Sequence, residues 1–165
     1  MNPLYILLFS LLLAAAHIFL MKKPRTLKKM LEVIFMYVMF ISVGLTGVLA
    51  FYGHVFMGPE IAAKIGWRAG SPFQYEVGVA DLSFGVIALL TPWIRGTYWI
   101  AAALVNAVFL IGCAVGHLRD LLLHGNTAVY NAGPVLWIGD LLVPVLIFAL
   151  AVVISRMEDK KTKKK

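Results

Sequence analysis

The chain has one cysteine, Cys113, in 165 residues. A lone thiol excludes an intramolecular disulfide and any CxxC redox pair. Charge is scarce as well. Asp, Glu, Lys and Arg make up 14% of the residues, where soluble domains carry about 25%. There is no P-loop, dinucleotide fingerprint, zinc-protease motif or nucleophile elbow, so the sequence offers no ready-made phosphate cradle or acyl-transfer site. Internal repeats are absent, and the only low-complexity stretch is the lysine-rich end.

What the chain has in abundance is apolar length. It is 61% hydrophobic, with a mean hydropathy of +0.88. A soluble core of this size has too little interior to bury so much apolar surface, and lipid is the alternative solvent. Apolar segments run near 3–20, 30–53, 72–93, 98–118 and 134–155. Each is about 20 residues or longer, the length that crosses a hydrocarbon core roughly 30 Å thick. The sequence therefore predicts an all-α fold: a polytopic bundle of five transmembrane helices over 1–157, with a basic cytoplasmic tail at 158–165. The first segment has its basic residues after its apolar run, unlike a cleaved signal, and is expected to stay as a helix.

A formal charge of +7 raises the question of nucleic acid, and its distribution answers it. Lys22, Lys23, Arg25, Lys28 and Lys29 follow the first segment, Arg95 follows the third, and Arg156 with the lysines from Lys160 to Lys165 follows the fifth. Only Lys64, Arg68 and Arg119 fall in the alternate loops. The positive-inside rule then places the N-terminus outside and the C-terminus inside. The expected partner is the bilayer of the inner (plasma) membrane, with a membrane redox partner or a second copy of the chain as further candidates. No nucleic acid is expected.

Local signals place the remaining pieces. Pro59, the Glu60–Lys64 pair and Gly66 predict a short helix lying in the outer interface. Ser71 with Gln74 reads as a capping box and Pro72 as a first helical residue, so the third span is expected to begin at Ser71. That start puts Glu76 about 6–8 Å and Asp81 about 15 Å below the interface. Gly44, Gly47, Phe51 and His54 share one face of the second span, small in the middle and suited to close helix approach. In the fourth span, Thr97 is the expected cap and Gly125 the expected stop, with Gly112 and Gly116 as a GxxxG pair. Its polar stripe is Asn106, Cys113, His117, Asp120 and His124. Asp140 lies about 9 Å below the start of the fifth span, and Pro144 is expected to kink it.

An ionisable side chain in hydrocarbon is expensive, so the few acids and histidines inside the spans are the candidates for function. Glu76, Asp81 and Asp140 in the outer half, with His54 and His117 at its mouth, form the expected pocket or proton relay. Such carboxyls bind a cation, pass a proton or hydrogen-bond a polar ligand. If they do none of these, they tie helices together. His117, Asp120 and His124 have helical metal-ligand spacing, a weaker signal, for a transition metal. His17, one turn before Lys22, reads as an inner interface residue. Trp67, Trp93, Trp99 and Trp137 read as belt anchors.

The run Ser71-Pro72-Phe73-Gln74-Tyr75-Glu76-Val77-Gly78, continued by Asp81-Leu82-Ser83-Phe84-Gly85 and then Ala101 to His117, resembles the DoxX-like group of small bacterial membrane proteins. It also resembles uncharacterised small bacterial inner-membrane proteins that share the SPFQ-x-E segment. In the DoxX-like group a helix opened by Pro carries a Glu a few residues in, and the next helix ends near a His. Glu76 and Gly85 match best. Asp81 and the fifth helix with Asp140 go beyond the pattern. The resemblance implies a four-helix core and an association with membrane redox systems, some quinone-linked, and no catalytic residue. Three functions follow as expectations. The first is a redox-associated subunit binding a quinone-like molecule or metal ion. The second is a proton- or cation-coupled transporter, and the third a non-catalytic assembly factor.

Overall fold

A computed structural model describes residues 2–22 and 26–157. Lys23, Arg25 and the basic tail at 158–165 lie outside the described residues. Six helices account for nearly all of the rest: α1 Pro3–Leu20, α2 Leu27–Phe56, α3 Gly58–Ile65, α4 Phe73–Leu89, α5 Thr97–His124 and α6 Val135–Arg156. No strand occurs among the described residues. α1, α2, α5 and α6 are long and apolar enough to cross a membrane. α4 has 17 residues, about 25 Å of helix, and carries Glu76 and Asp81.

Helix ends follow from local chemistry. The Asn2 side chain accepts from the Leu4 amide, and Pro3 opens α1, where its missing N–H costs nothing. The Thr26 hydroxyl accepts from the Lys29 amide at the head of α2. Gly66 and Gly125 end α3 and α5 with φ of 84° and 66°, the left-handed region that glycine enters without strain. The start of α4 differs from expectation. Ser71 makes no side-chain cap and the helix begins at Phe73. Gln74, the other half of the expected capping box, instead donates from Nε2 to the Gly58 carbonyl at 2.7 Å, pinning α4 to the start of α3. Thr97 is likewise not a cap, since Gly96 occupies that position with φ of 71°.

The core forms where Phe35, Val38 and Met39 of α2 meet Leu7 of α1, Trp99 of α5 and Val143 and Ile147 of α6. Outward-facing side chains are apolar too: Leu12, Phe19, Val108 and Val153 are all exposed. A helix apolar on both faces suits lipid on one side and protein on the other. Trp99 is not a belt anchor. It is 4% exposed, stacks on Phe35 with centroids 4.7 Å apart, and donates to the Thr91 carbonyl at 2.8 Å. Trp93 and Trp137 do stand exposed.

Two features shape the bundle interior. First, α2 and α4 cross at glycines. A Cβ on Gly47 would lie 2.7 Å from the Asp81 carbonyl oxygen and 2.9 Å from the Gly85 Cα, and one on Gly78 would meet Val55 and His54. The small face of α2 therefore packs directly on the face of α4 that carries Asp81. Gly112 and Gly116 of α5 have nothing within 4 Å of a built Cβ, so the GxxxG pair is not a packing seam within this chain. Second, α2 is π-helical over Val38–Leu45 and α6 over Val135–Leu142. The wide turn in α2 gives Thr46 Oγ1 a carbonyl five residues back, at Ile41, to donate to. The wide turn in α6 ends just before Pro144, which has no N–H to continue the ladder. Pro144 thus marks the end of a π stretch, a widened turn of the kind that often borders functional sites.

Candidate functional site

Between these two widened helices lies a cavity of about 430 Å³. α2 contributes Ser42, Thr46 and His54, α4 contributes Asp81, α5 contributes Asn106, Cys113 and His117, and α6 contributes Asp140. Most of the remaining wall is apolar, and among the described residues no Lys or Arg lines it. Sites for small molecules have this character, about 300–1,000 Å³ with a few converging polar groups.

The carboxyls differ in their surroundings. Asp81 makes no hydrogen bond or ion pair to protein among the described residues. Asp140 is 7% exposed, and its Oδ2 stands 3.8 Å from His117 Nε2. Both carboxyls and the Cys113 thiol line the same cavity, beside the hydroxyls of Ser42 and Thr46 and the Asn106 amide. The site therefore holds groups that can donate as well as accept hydrogen bonds.

Behind Asp140 the polar chain is well ordered. Asn131 is fully buried. Its Nδ2 donates to the carbonyls of Asn126 and His117, at 2.8 and 3.3 Å. That fixes the amide, and Oδ1 faces His117 Nδ1 at 2.8 Å. Only a protonated Nδ1 satisfies this contact, so the neutral ring keeps its lone pair on Nε2, toward Asp140. At 3.8 Å Asp140 and His117 stand within ion-pair reach and beyond a hydrogen bond. His54 also lines the cavity, and its buried Nδ1 has no hydrogen-bond partner among the described residues.

One end of the cavity is closed by α3 and the loop after α5. Trp67 stacks on His117 with centroids 5.9 Å apart and planes 21° apart. Trp67 Nε1 donates to Asp120 Oδ2 at 3.3 Å, Asn126 donates to the same oxygen at 2.6 Å, and His124 Nδ1 meets Oδ1 at 2.8 Å. Asn126 also donates to the Ile65 carbonyl, and the Tyr130 amide to that of Lys64. Asp120 is thus the centre of a clasp.

A model of the family described as Family of unknown function (DUF6790) matches residues 1–160. The chain belongs to the DUF6790 family. No curated protein and no solved structure matches it.

In this DUF6790 member the structure brings together Asp81, Asp140, His54 and His117, four of the five residues expected to share a pocket. Glu76 stands apart. It is exposed and does not line the cavity. Five residues along a helix rotate a side chain by about 140°, so when Asp81 faces α2 and α6, Glu76 faces out. The expected metal set does not assemble either. His117 turns inward to Asn131, while Asp120 and His124 pair with each other above it. No three His, Cys, Asp or Glu side chains stand together as a metal set among the described residues, and the donor set does not fit a metal ion. His17 bonds Tyr37 at 3.2 Å, far from this group. The residues missed in the sequence are Asn131, Asn126 and Trp67. A polar residue beside Gly125 or in the Asn131–Pro134 turn reads as ordinary loop, and nothing short of tertiary contact distinguishes it.

Proposed function

We propose that this protein is a five-span inner-membrane protein, N-terminus outside, that binds a quinone-like molecule in its outer half as part of a membrane redox system. The carrying observation is the cavity itself: about 430 Å³, mostly apolar, and lined by His54 and by Asp81, which makes no hydrogen bond or ion pair to protein among the described residues. A quinone head has that chemistry, an apolar ring with two hydrogen-bonding oxygens. Protonated Asp81 would donate to one oxygen, and His54 or the Asp140–His117 pair would serve the other. When bound, the quinone supplies the redox chemistry and a partner protein the electrons. This chain supplies position and protons, drawn from outside through His117. α4 counts as the fifth span because its 17 residues reach the lower end of spanning length, about 17–25 residues. The twelve-to-three division of Lys and Arg between alternate loops supports the orientation.

The test is an equilibrium titration of the purified full-length protein in lipid nanodiscs with a short-chain benzoquinone, followed by tryptophan fluorescence. Saturable quenching is expected, weakened about tenfold by Asp81→Leu or His54→Phe, which each remove a hydrogen-bonding group from the cavity wall. Unsaturable quenching, the same in all three proteins, would refute the reading.

A second reading rests on one observation, that two carboxyls line a cavity with no Lys or Arg among the described residues of its wall. That arrangement also suits a proton- or cation-coupled transporter. Proteoliposomes distinguish the two: flux driven by a proton gradient and abolished by Asp81→Asn favours transport, and quinone binding without flux favours the redox subunit.

A further inference from the structure

At the opposite end of the bundle a second cavity, of about 170 Å³, lies between the end of α1, the first turns of α2 and the α4–α5 turn. His17, Lys29, Glu32 and Arg95 line it, over a floor that includes Met21 and Met36. None of these residues belongs to the outer cavity.

Its cations are positioned but not used. Arg95 and Glu32 stand 3.8 Å apart, too far for a hydrogen bond, so the guanidinium keeps its donors free. The guanidinium lies 5.4 Å over the buried Trp99 ring, which holds its plane in place. The Lys29 side chain has no hydrogen bond or ion pair among the described residues. His17 uses Nδ1 on the Tyr37 hydroxyl and keeps Nε2. The unpaired Lys29 ammonium, the Arg95 guanidinium loosely paired with Glu32, and an imidazole line one small concavity with a net positive charge, which suits an anion. Exposed Phe19, Leu20, Trp93 and Ile94 flank this end of the bundle, as apolar and aromatic side chains do at headgroup depth.

We propose that this cavity is a phosphate-binding site. Lys29 and the planar Arg95 fork hold the phosphate oxygens, as basic pockets between spanning helices hold lipid heads. The apolar floor of Met21 and Met36 accepts the glycerol end when the phosphate belongs to a phospholipid. Glu32, held near Arg95, keeps that guanidinium turned into the pocket.

The experiment is native mass spectrometry of the delipidated full-length protein, titrated with phosphatidylglycerol, with and without inorganic phosphate as competitor. One lipid per chain is expected on the wild type. Lys29→Gln, an exposed position whose change leaves the fold intact, is expected to weaken binding about tenfold. The paired change Glu32→Gln with Arg95→Gln removes the second cation without stranding a carboxylate and is expected to do the same. Asp81→Asn is expected to bind as the wild type does. Displacement by inorganic phosphate identifies a free phosphate as sufficient, and resistance to it identifies the lipid head. Equal binding by the wild type and both basic-site variants, or no binding of either probe to the wild type, would overturn the proposal.

Discussion

Replacing Gly47 with Ala is expected to separate α2 from α4 and to disturb the cavity with them. The added Cβ would lie 2.7 Å from the Asp81 carbonyl oxygen, about 0.7 Å short of the 3.4 Å at which ordinary contact begins. Its next neighbours, the Gly85 Cα at 2.9 Å and the Gly85 N at 3.1 Å, are also backbone. No side chain can rotate away, so one helix must move. Overpacking of this kind costs about 1–3 kcal/mol, against a gain of up to about 1 kcal/mol from the better helix propensity of Ala. A net loss remains. Gly112→Ala is the control, since nothing lies within 4 Å of its Cβ, and it is expected to be neutral or slightly stabilising. Thermal unfolding of both variants in one detergent gives the comparison. Because the collision falls on the residue that carries the Asp81 side chain, Gly47→Ala should also weaken quinone binding. Equal midpoints for the two variants would refute the close crossing and the placement of Asp81 that depends on it.

Three further outcomes are expected. Gln74→Ala should cost about 1 kcal/mol by breaking the 2.7 Å bond to the Gly58 carbonyl, while Ser71→Ala, which removes no cap, should stay within about 0.5 kcal/mol. Urea or thermal unfolding of the two variants ranks them. Asn131→Ala should lower stability by about 1–3 kcal/mol for each buried group it strands, and ¹⁵N NMR of the His117 ring should then show loss of the Nδ1–H tautomer that Oδ1 of Asn131 selects. Reporter fusions after Lys29, Arg95 and Lys165 should give cytoplasmic signals, and those after Gly70 and Asn131 should give outer-side signals, as the division of Lys and Arg requires. A cytoplasmic signal at Gly70 would overturn the orientation.

The sequence made the helical framework legible because apolar length, glycine stops and glycine faces are local signals. Gly66 and Gly125 end their helices as read, and the Gly44–Gly47 face packs on α4. Part of the site was also legible: Asp81, His54 and His117, on regular helix, and Asp140, in the π-helical turn of α6, all line one cavity. The failures have physical causes. Ser71 and Gln74 have capping-box spacing, but the Gln74 side chain is drawn away to donate to the Gly58 carbonyl at the start of α3. Asp120 and His124 have ligand spacing, but Trp67 and Asn126, distant or loop-borne in sequence, claim the carboxylate. The π-helical stretches, which widen α2 and α6 beside the cavity, carry no sequence period of their own, and only Pro144 hinted at one of them.

The central claim is that the ligand sits inside the bundle between α2, α4, α5 and α6. A photoreactive azidoquinone, cross-linked to the protein in nanodiscs and mapped by peptide mass spectrometry, tests this directly. The account predicts adducts on peptides carrying Asp81, Cys113 or Asp140, suppressed by excess unlabelled short-chain quinone and reduced in Asp81→Leu. Adducts confined to lipid-facing positions such as Leu12, Val108 and Val153, unaffected by competitor, would contradict it.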